Sequence, residues 1–61
     1  MEKNNIIDEH FILTVHDLIN GASVEEIETV IKLYEQIEEY EVCAGMHAAL
    51  QIFKQIYNGG K

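Results

Sequence analysis

Residues 34–50, which read YEQIEEYEVCAGMHAAL, decide the fold because the apolar face of the chain changes sides within them. Upstream, one apolar stripe at helical spacing comprises Ile27, Val30, Ile31, Tyr34 and Ile37. Downstream, a second stripe comprises Cys43, Met46, Leu50, Phe53 and Tyr57, with Ala49 and Ile56 beside it. At about 100° per residue, the second stripe is rotated by roughly 160° from the first. Either the chain folds back between Gln36 and Tyr40, or one long helix presents two apolar faces.

A helical hairpin is the preferred interpretation of this change. A single helix over residues 24–57 would be about 50 Å long, and helices of globular proteins usually have about 10–14 residues. No Gly or Pro marks the break, so the prediction depends on the change of phase alone. Ser23 and Glu26 form a capping-box pattern in front of Val24. We therefore predict helix two over about 24–37 and helix three over about 40–57, with a stop at Asn58-Gly59-Gly60.

An N-terminal helix is predicted over about residues 5–20. Asn4 or Asn5 can serve as its N-cap, and Gly21 can end it by adopting a left-handed backbone. Its main apolar arc comprises Ile7, Phe11, Ile12, Val15, Leu18 and Ile19. Ile6 and Leu13 lie off this arc, as Leu33 lies off the stripe of helix two. We expect Ile6, Leu13 and Leu33 to mediate self-association, because a helix that is apolar on two sides needs two neighbours.

The fold class that follows is a single all-α domain over residues 1–61, a small three-helix bundle made of an N-terminal helix and a helical hairpin. A chain of 61 residues without a disulfide buries a limited core and often needs association for stability. We therefore expect a homodimer or a small oligomer. In helix three, Gly45 and Ala49, like Ala44 and Ala48, are spaced four apart, which predicts close approach of a neighbouring backbone.

The charge balance limits the classes of partner. Eleven acids and four lysines, with no arginine, give a net charge of −7. Nucleic-acid binding depends on Lys and Arg, so no direct nucleic-acid partner is expected, and a basic protein surface is favoured instead. The single Cys favours a reducing, cytoplasmic setting. We expect neither a signal peptide nor contact with a membrane, because the apolar runs are far shorter than the ~20 residues of a membrane span.

Acidic residues are concentrated in the middle of the chain, where residues 25–41 hold seven acids and one lysine, a local net charge of −6. Capping and pairing with Lys32 explain the acids at the start of helix two. The acids around the predicted turn have no such explanation, and one aromatic residue lies among them. We expect the partner-binding surface to comprise Glu35, Glu38, Glu39, Tyr40 and Glu41.

The sequence IEEYEVCAGMHAAL resembles the UVR motif, a short helical hairpin with an acidic-aromatic turn followed by a small pair and an apolar helix. Glu38, Glu39, Tyr40 and Glu41 match the turn, and Cys43-Ala44 match the small pair. The resemblance covers roughly residues 27–56, although Met46-His47-Ala48 stands where the motif usually has a leucine, an arginine and an acid. It implies a hairpin that pairs with a similar hairpin in a second protein or in its own copy, without catalysis.

A chemical site is a weaker alternative. Glu39, Cys43 and His47 are spaced one turn apart, which permits an activated thiol or a set of metal ligands. Cys43 belongs to the apolar stripe, however, and a free Cys usually behaves as a small buried hydrophobe. We therefore expect no enzyme activity, no catalytic residue, no metal and no cofactor.

The expected function is a non-enzymatic acidic protein-binding module, an adaptor or an inhibitor, with a phage-type modulator of a host protein as one form. Two alternatives stay open. An oligomer could sequester a small ligand or nucleotide between its subunits, or helix three could carry the Cys/His thiol or metal site.

Overall fold

The computed structural model describes residues 3–58, with side chains from residue 5 to residue 57. This part of the chain forms three helices, α1 (Lys3–Ile19), α2 (Val24–Gln36) and α3 (Tyr40–Asn58), and contains no strand. The predicted all-α three-helix architecture is therefore confirmed. Within the same residues, no helix is long and apolar enough to cross a membrane.

The observed helix ends lie close to the predicted ones, with one correction. α1 begins at Lys3, before both Asn4 and Asn5, so neither residue is its N-cap. Asn is strongly preferred as an N-cap, but a cap residue has a non-helical backbone, and residues 4 and 5 lie within the helix. The predicted stop of α3 at residues 59–60 lies outside the described residues.

The turn between α1 and α2 is a Schellman motif centred on Gly21. The backbone N–H of Gly21 donates to the carbonyl of Leu18 at 3.2 Å, and that of Ala22 donates to the carbonyl of Asp17 at 2.9 Å. This pattern requires a left-handed residue at its centre, and Gly21 has a φ of 112°.

The capping box predicted for α2 is present. The Ser23 hydroxyl accepts from the Glu26 N–H at 3.0 Å, and the Glu26 carboxylate accepts from the Ser23 N–H at 3.1 Å. These two bonds satisfy backbone donors that a helix start would otherwise leave without partners. The start of α2 is therefore fixed by local sequence.

α2 and α3 form an antiparallel hairpin, so the predicted break is confirmed. Contacts between the two helices follow opposite sequence directions: Glu35 lies beside His47, and Glu28 lies beside Lys54. The Cys43 thiol also joins the two helices by donating to the carbonyl oxygen of Ile31 at 3.5 Å. The two apolar stripes thus face each other because the chain reverses, not because one long helix has two partners.

α1 runs in the same direction as α3 and approaches it closely at Gly45. A methyl group at residue 45 would overlap the carbonyl oxygen of Ile7 and lie 3.0 Å from the backbone nitrogen of Phe11. Gly45 and Ala49 are buried, so the predicted close approach holds for this pair, whereas Ala44 and Ala48 are exposed. The absence of a side chain at residue 45 lets the two backbones meet.

α3 supplies most of the core and packs on both other helices. The core cluster comprises Leu18 from α1, Ile27 and Ile31 from α2, and Val42, Cys43, Met46 and Leu50 from α3. Val24, Val30, Tyr34 and Phe53 pack against this cluster while partly exposed. The two stripes thus meet as predicted in their central residues.

Several residues predicted on the apolar arcs are exposed instead, and they share positions at helix ends or flanks. They are Ile12, Ile19, Ile37, Ile56 and Tyr57. Thr14, which the apolar arc omitted, is 3% exposed. The predicted arc is therefore shifted around α1, because α1 packs mainly on α3 and buries Thr14 and Leu18 in doing so.

Candidate protein-binding surface

The α2–α3 turn is built by a second Schellman motif. The N–H of Glu38 donates to the carbonyl of Glu35 at 3.0 Å, and the N–H of Glu39 donates to the carbonyl of Tyr34 at 2.9 Å. Glu38 holds the left-handed central position, with a φ of 64°. The chain thus reverses without Gly or Pro, which explains why residue types alone did not mark the break.

This turn gathers the predicted partner-binding residues at one end of the hairpin. Glu35 lies in the last turn of α2, Glu38 and Glu39 lie in the connection, and Tyr40 and Glu41 begin α3. We call these five residues the acidic tip. All are exposed except Glu41, which is half-buried.

The helix dipoles act differently on the acids of the tip. Glu39 and Glu41 lie at the N-terminal end of α3, where a negative charge is stabilised. Glu35 lies in the last turn of α2, where a negative charge is disfavoured. Glu38 lies in the connection, between the C-terminal end of α2 and the N-terminal end of α3. Helix stability therefore accounts for Glu39 and Glu41 and disfavours Glu35.

Cationic groups near the tip are few. The sequence holds no Lys or Arg between Lys32 and Lys54. His47 Nε2 lies 3.8 Å from Glu35 Oε2, and both side chains are at least half exposed. Such an exposed contact contributes little to stability because water screens it. Residues 35 and 47 lie on different helices, so the sequence did not predict this contact.

An apolar residue of the tip was also missed. Ile37, predicted on the core stripe, is the C-cap of α2 and is 64% exposed. Tyr40, which was predicted on the partner-binding surface, is 61% exposed. The two side chains place apolar surface beside the acids. The spacing of apolar residues alone assigns Ile37 to the core stripe. Its exposure could have been predicted only from the position at which α2 ends.

The Cys/His alternative lacks the geometry that a reactive thiol or a metal site requires. Cys43 is buried, and burial, reinforced by the charges of Glu35 and Glu39, raises the pKa of its thiol above the ordinary value. A thiol held in its neutral form is a poor nucleophile and a poor metal ligand. Among residues 3–58, Glu39, Cys43 and His47 form no group able to hold a metal ion, and no other His, Cys, Asp and Glu side chains do so either.

The residues predicted to mediate self-association lie on the surface. Ile6 is 40% exposed, Leu13 is 50% exposed, and Leu33 is 57% exposed. Ile6 and Leu13 share one side of α1, two helical turns apart, while Leu33 belongs to α2. Their contact with another copy stays a prediction.

The fold and its surface define a small all-α bundle with an acidic, partly apolar tip. Comparison of the chain with known protein families, with characterised proteins and with solved structures finds no match. The resemblance of residues 27–56 to a UVR hairpin therefore stays a prediction.

Proposed function

We propose that this chain is a non-enzymatic protein-binding module, an adaptor or an inhibitor, whose acidic tip docks on a basic surface of a partner protein. The observation that carries the proposal is the conformation of Glu38. Its φ of 64° lies in the region that favours glycine. A non-glycine residue that is held in this conformation and exposed to solvent is typical of a functional position.

The charge around Glu38 supports the same proposal. Glu35 and Glu39 are exposed on either side of it, and the sequence between Lys32 and Lys54 contributes no lysine or arginine. Complementary charge raises the rate of association and selects among partners. A basic protein surface is therefore the favoured partner, in the reducing cytoplasm that a lone buried Cys suits.

Ile37 and Tyr40 add the apolar component that a stable interface needs. Exposed charge alone contributes mainly to the rate of encounter. Aromatic residues such as Tyr supply much of the binding energy at the centre of an interface, which is more apolar than its polar rim. A tip that presents both is better suited to a specific partner than to loose attraction of cations.

The experiment compares two variants of equal charge. The tip variant carries Glu35→Gln, Glu38→Gln and Glu39→Gln, and the control variant carries Asp8→Asn, Glu9→Gln and Glu25→Gln. Each variant loses three negative charges, so its net charge is −4 where that of the wild type is −7. All six substituted positions are exposed. The wild type and both variants are immobilised, and the proteins that each retains from a cell lysate are identified by mass spectrometry.

We expect at least one basic protein to be retained by the wild type and by the control variant but not by the tip variant. Circular dichroism should show the same helix content in all three proteins. Equal retention by the tip variant, or specific retention by none of the proteins, contradicts the proposal.

A further inference from the structure

A groove separates the C-terminal half of α1 from that of α3. Val15 and Ile19 line it from α1, and Ala49, Phe53 and Ile56 are among the residues that line it from α3. The described residues that form its walls include no charged side chain. The groove is therefore an apolar site on a chain that is otherwise strongly acidic.

The size of the groove suits one large apolar side chain. Its volume is about 180 Å³, and a cavity of about 150 Å³ with an apolar lining binds benzene. Pockets for whole drug-sized ligands usually have about 300–1,000 Å³. The groove therefore has room for a phenylalanine ring or a leucine side chain, but it is too small to enclose a nucleotide.

Apolar side chains beside the groove extend the contact area along α1 and α3. Ile19 is 73% exposed, Ile56 is 69% exposed, and Ile12 is 62% exposed. Ile12, Val15 and Ile19 follow one another at helical spacing along one side of α1. An apolar row of this kind, next to a groove between two helices, is a surface on which an amphipathic helix of another protein packs.

The charge around the groove is negative. Asp8, an exposed acid, lies one turn before Ile12 in the same row of α1. The sequence holds no lysine or arginine over residues 4–31. Lys54 of α3 pairs with α2 and lies on roughly the opposite side of α3 from Ile56. An acid thus flanks the groove, and no lysine or arginine of the described residues faces it.

We infer that the groove binds a helix of a partner protein, which inserts one large apolar side chain and carries a lysine or arginine about two helical turns away. The volume of the groove selects the apolar side chain. The position of Asp8 selects the basic residue and its spacing, because Asp8 lies about 10 Å before Val15 along α1. A second copy of this chain is disfavoured, because it also carries −7 and like charges repel.

This site goes beyond the proposed docking of the acidic tip. Tyr40, in the tip, begins α3, and Phe53, in the groove, lies about 20 Å further along the helix axis. The two surfaces therefore bind independently of each other, and each stays accessible while the other is occupied.

Fluorescence anisotropy with a labelled synthetic peptide tests the inference. The probe is a helical peptide of about 18 residues, built on alanine and glutamine. It carries a phenylalanine between two leucines at helical spacing, with a lysine two turns before and two turns after the phenylalanine. One control peptide has alanine in place of the phenylalanine, and another has glutamate in place of both lysines. Binding is measured at about 0.15 M salt, where long-range attraction to the net charge is screened.

The variants of the protein leave its net charge unchanged. The groove variant carries Ile19→Ser and Ile56→Ser, and the matched control carries Leu13→Ser and Leu33→Ser at other exposed positions. We expect the wild type to bind the probe with a dissociation constant that rises at least about 10-fold in the groove variant, or when the peptide lacks its phenylalanine. The matched control should bind the probe as the wild type does, and the glutamate peptide should bind the wild type at least about 3-fold more weakly than the probe.

Three outcomes overturn the inference. Absence of saturable binding, or equal binding by the wild type and the groove variant, shows that the groove does not hold the peptide. Equal binding of the lysine and glutamate peptides shows that the partner helix need not be basic. A wild-type dimer in sedimentation velocity that is lost in the groove variant shows that a second copy occupies the groove. If circular dichroism shows that the groove variant has lost helix content, Ile19→Ser alone replaces it under the same criteria.

The two variants of net charge −4 separate this site from the acidic tip. The tip variant should bind the probe about as well as the wild type, although it no longer retains the partner of the tip. The variant with Asp8→Asn, Glu9→Gln and Glu25→Gln should bind the probe about 2- to 5-fold more weakly, although it still retains that partner. Failure of one proposal therefore leaves a different signature from failure of the other.

Discussion

Gly21 and Glu38 occupy the same position in two equivalent turns, each the left-handed centre of a Schellman motif that ends a helix. Their φ values are 112° and 64°, and both motifs are closed by the same pair of backbone hydrogen bonds. Gly21 is the residue type that this conformation favours, whereas Glu38 is a charged residue that the conformation disfavours.

Replacing Glu38 with Gly should therefore stabilise the fold. A left-handed backbone costs a non-glycine residue about 1 kcal/mol, and glycine adopts this conformation without that cost. We expect a gain of about 0.5–1 kcal/mol in the free energy of unfolding, measured by urea denaturation at one fixed protein concentration, since a dimer makes stability depend on concentration.

Glu35→Gly is the matched control for this change, because it removes the same charge one turn earlier, within α2. Glycine in a helix costs up to about 1 kcal/mol, so this variant should be less stable than the wild type. If both variants shift in the same direction, the backbone conformation of Glu38 is not the cause.

Gly45→Ala should destabilise the protein although alanine is the better helix former. The added methyl would overlap the carbonyl of Ile7, and overpacking typically costs about 1–3 kcal/mol. The same denaturation measurement applies. Ala48→Gly, at an exposed position of the same helix, should cost about 1 kcal/mol through propensity alone. A gain in stability for Gly45→Ala would mean that α1 does not approach α3 as described.

Stability should decline in alkaline solution because of Cys43. Burial raises the pKa of its thiol in the folded chain above the unfolded value of 9.0. The unfolded chain therefore releases this proton first as the pH rises through 9.0, and the free energy of unfolding falls. Comparison with Cys43→Ala isolates the effect: the wild type should lose more stability above this pH than the variant does.

The same burial predicts slow modification of the thiol. A thiol-specific reagent at neutral pH should react with native Cys43 far more slowly than with the urea-unfolded chain. Rapid reaction of the native protein would show that the thiol is accessible and would reopen the possibility of chemistry at this position.

Association with a basic partner should depend strongly on salt. Attraction between exposed charges is screened over a distance of about 10 Å at 0.1 M ionic strength. The association rate, measured by surface plasmon resonance with the partner identified by mass spectrometry, should fall as salt rises, and the dissociation rate should change less. In the tip variant with three glutamines, this salt dependence should be weaker. An association rate insensitive to salt would exclude the acids as the steering element.

Much of the fold was predictable because its signals are local. The capping box of Ser23 and Glu26, the stop at Gly21 and the change of apolar phase between Tyr34 and Cys43 each depend on residues within a few positions of one another. Hydrogen bonds of caps and the spacing of apolar side chains are set by such short-range patterns. The acids of the tip were predictable for the same reason, since the hairpin places them together.

The sequence by itself determined three helices, the reversal between α2 and α3, and the identity of the acidic tip. Only the tertiary structure decided that Glu38 takes the left-handed position, that Ile37 faces solvent, and that α1 is the helix that approaches Gly45. It also decided that Thr14 is buried while Ile12 and Ile19 are not. α1 is apolar around much of its circumference, so its own pattern favours no single face, and the shape of the surface that α3 offers beside Gly45 selects one.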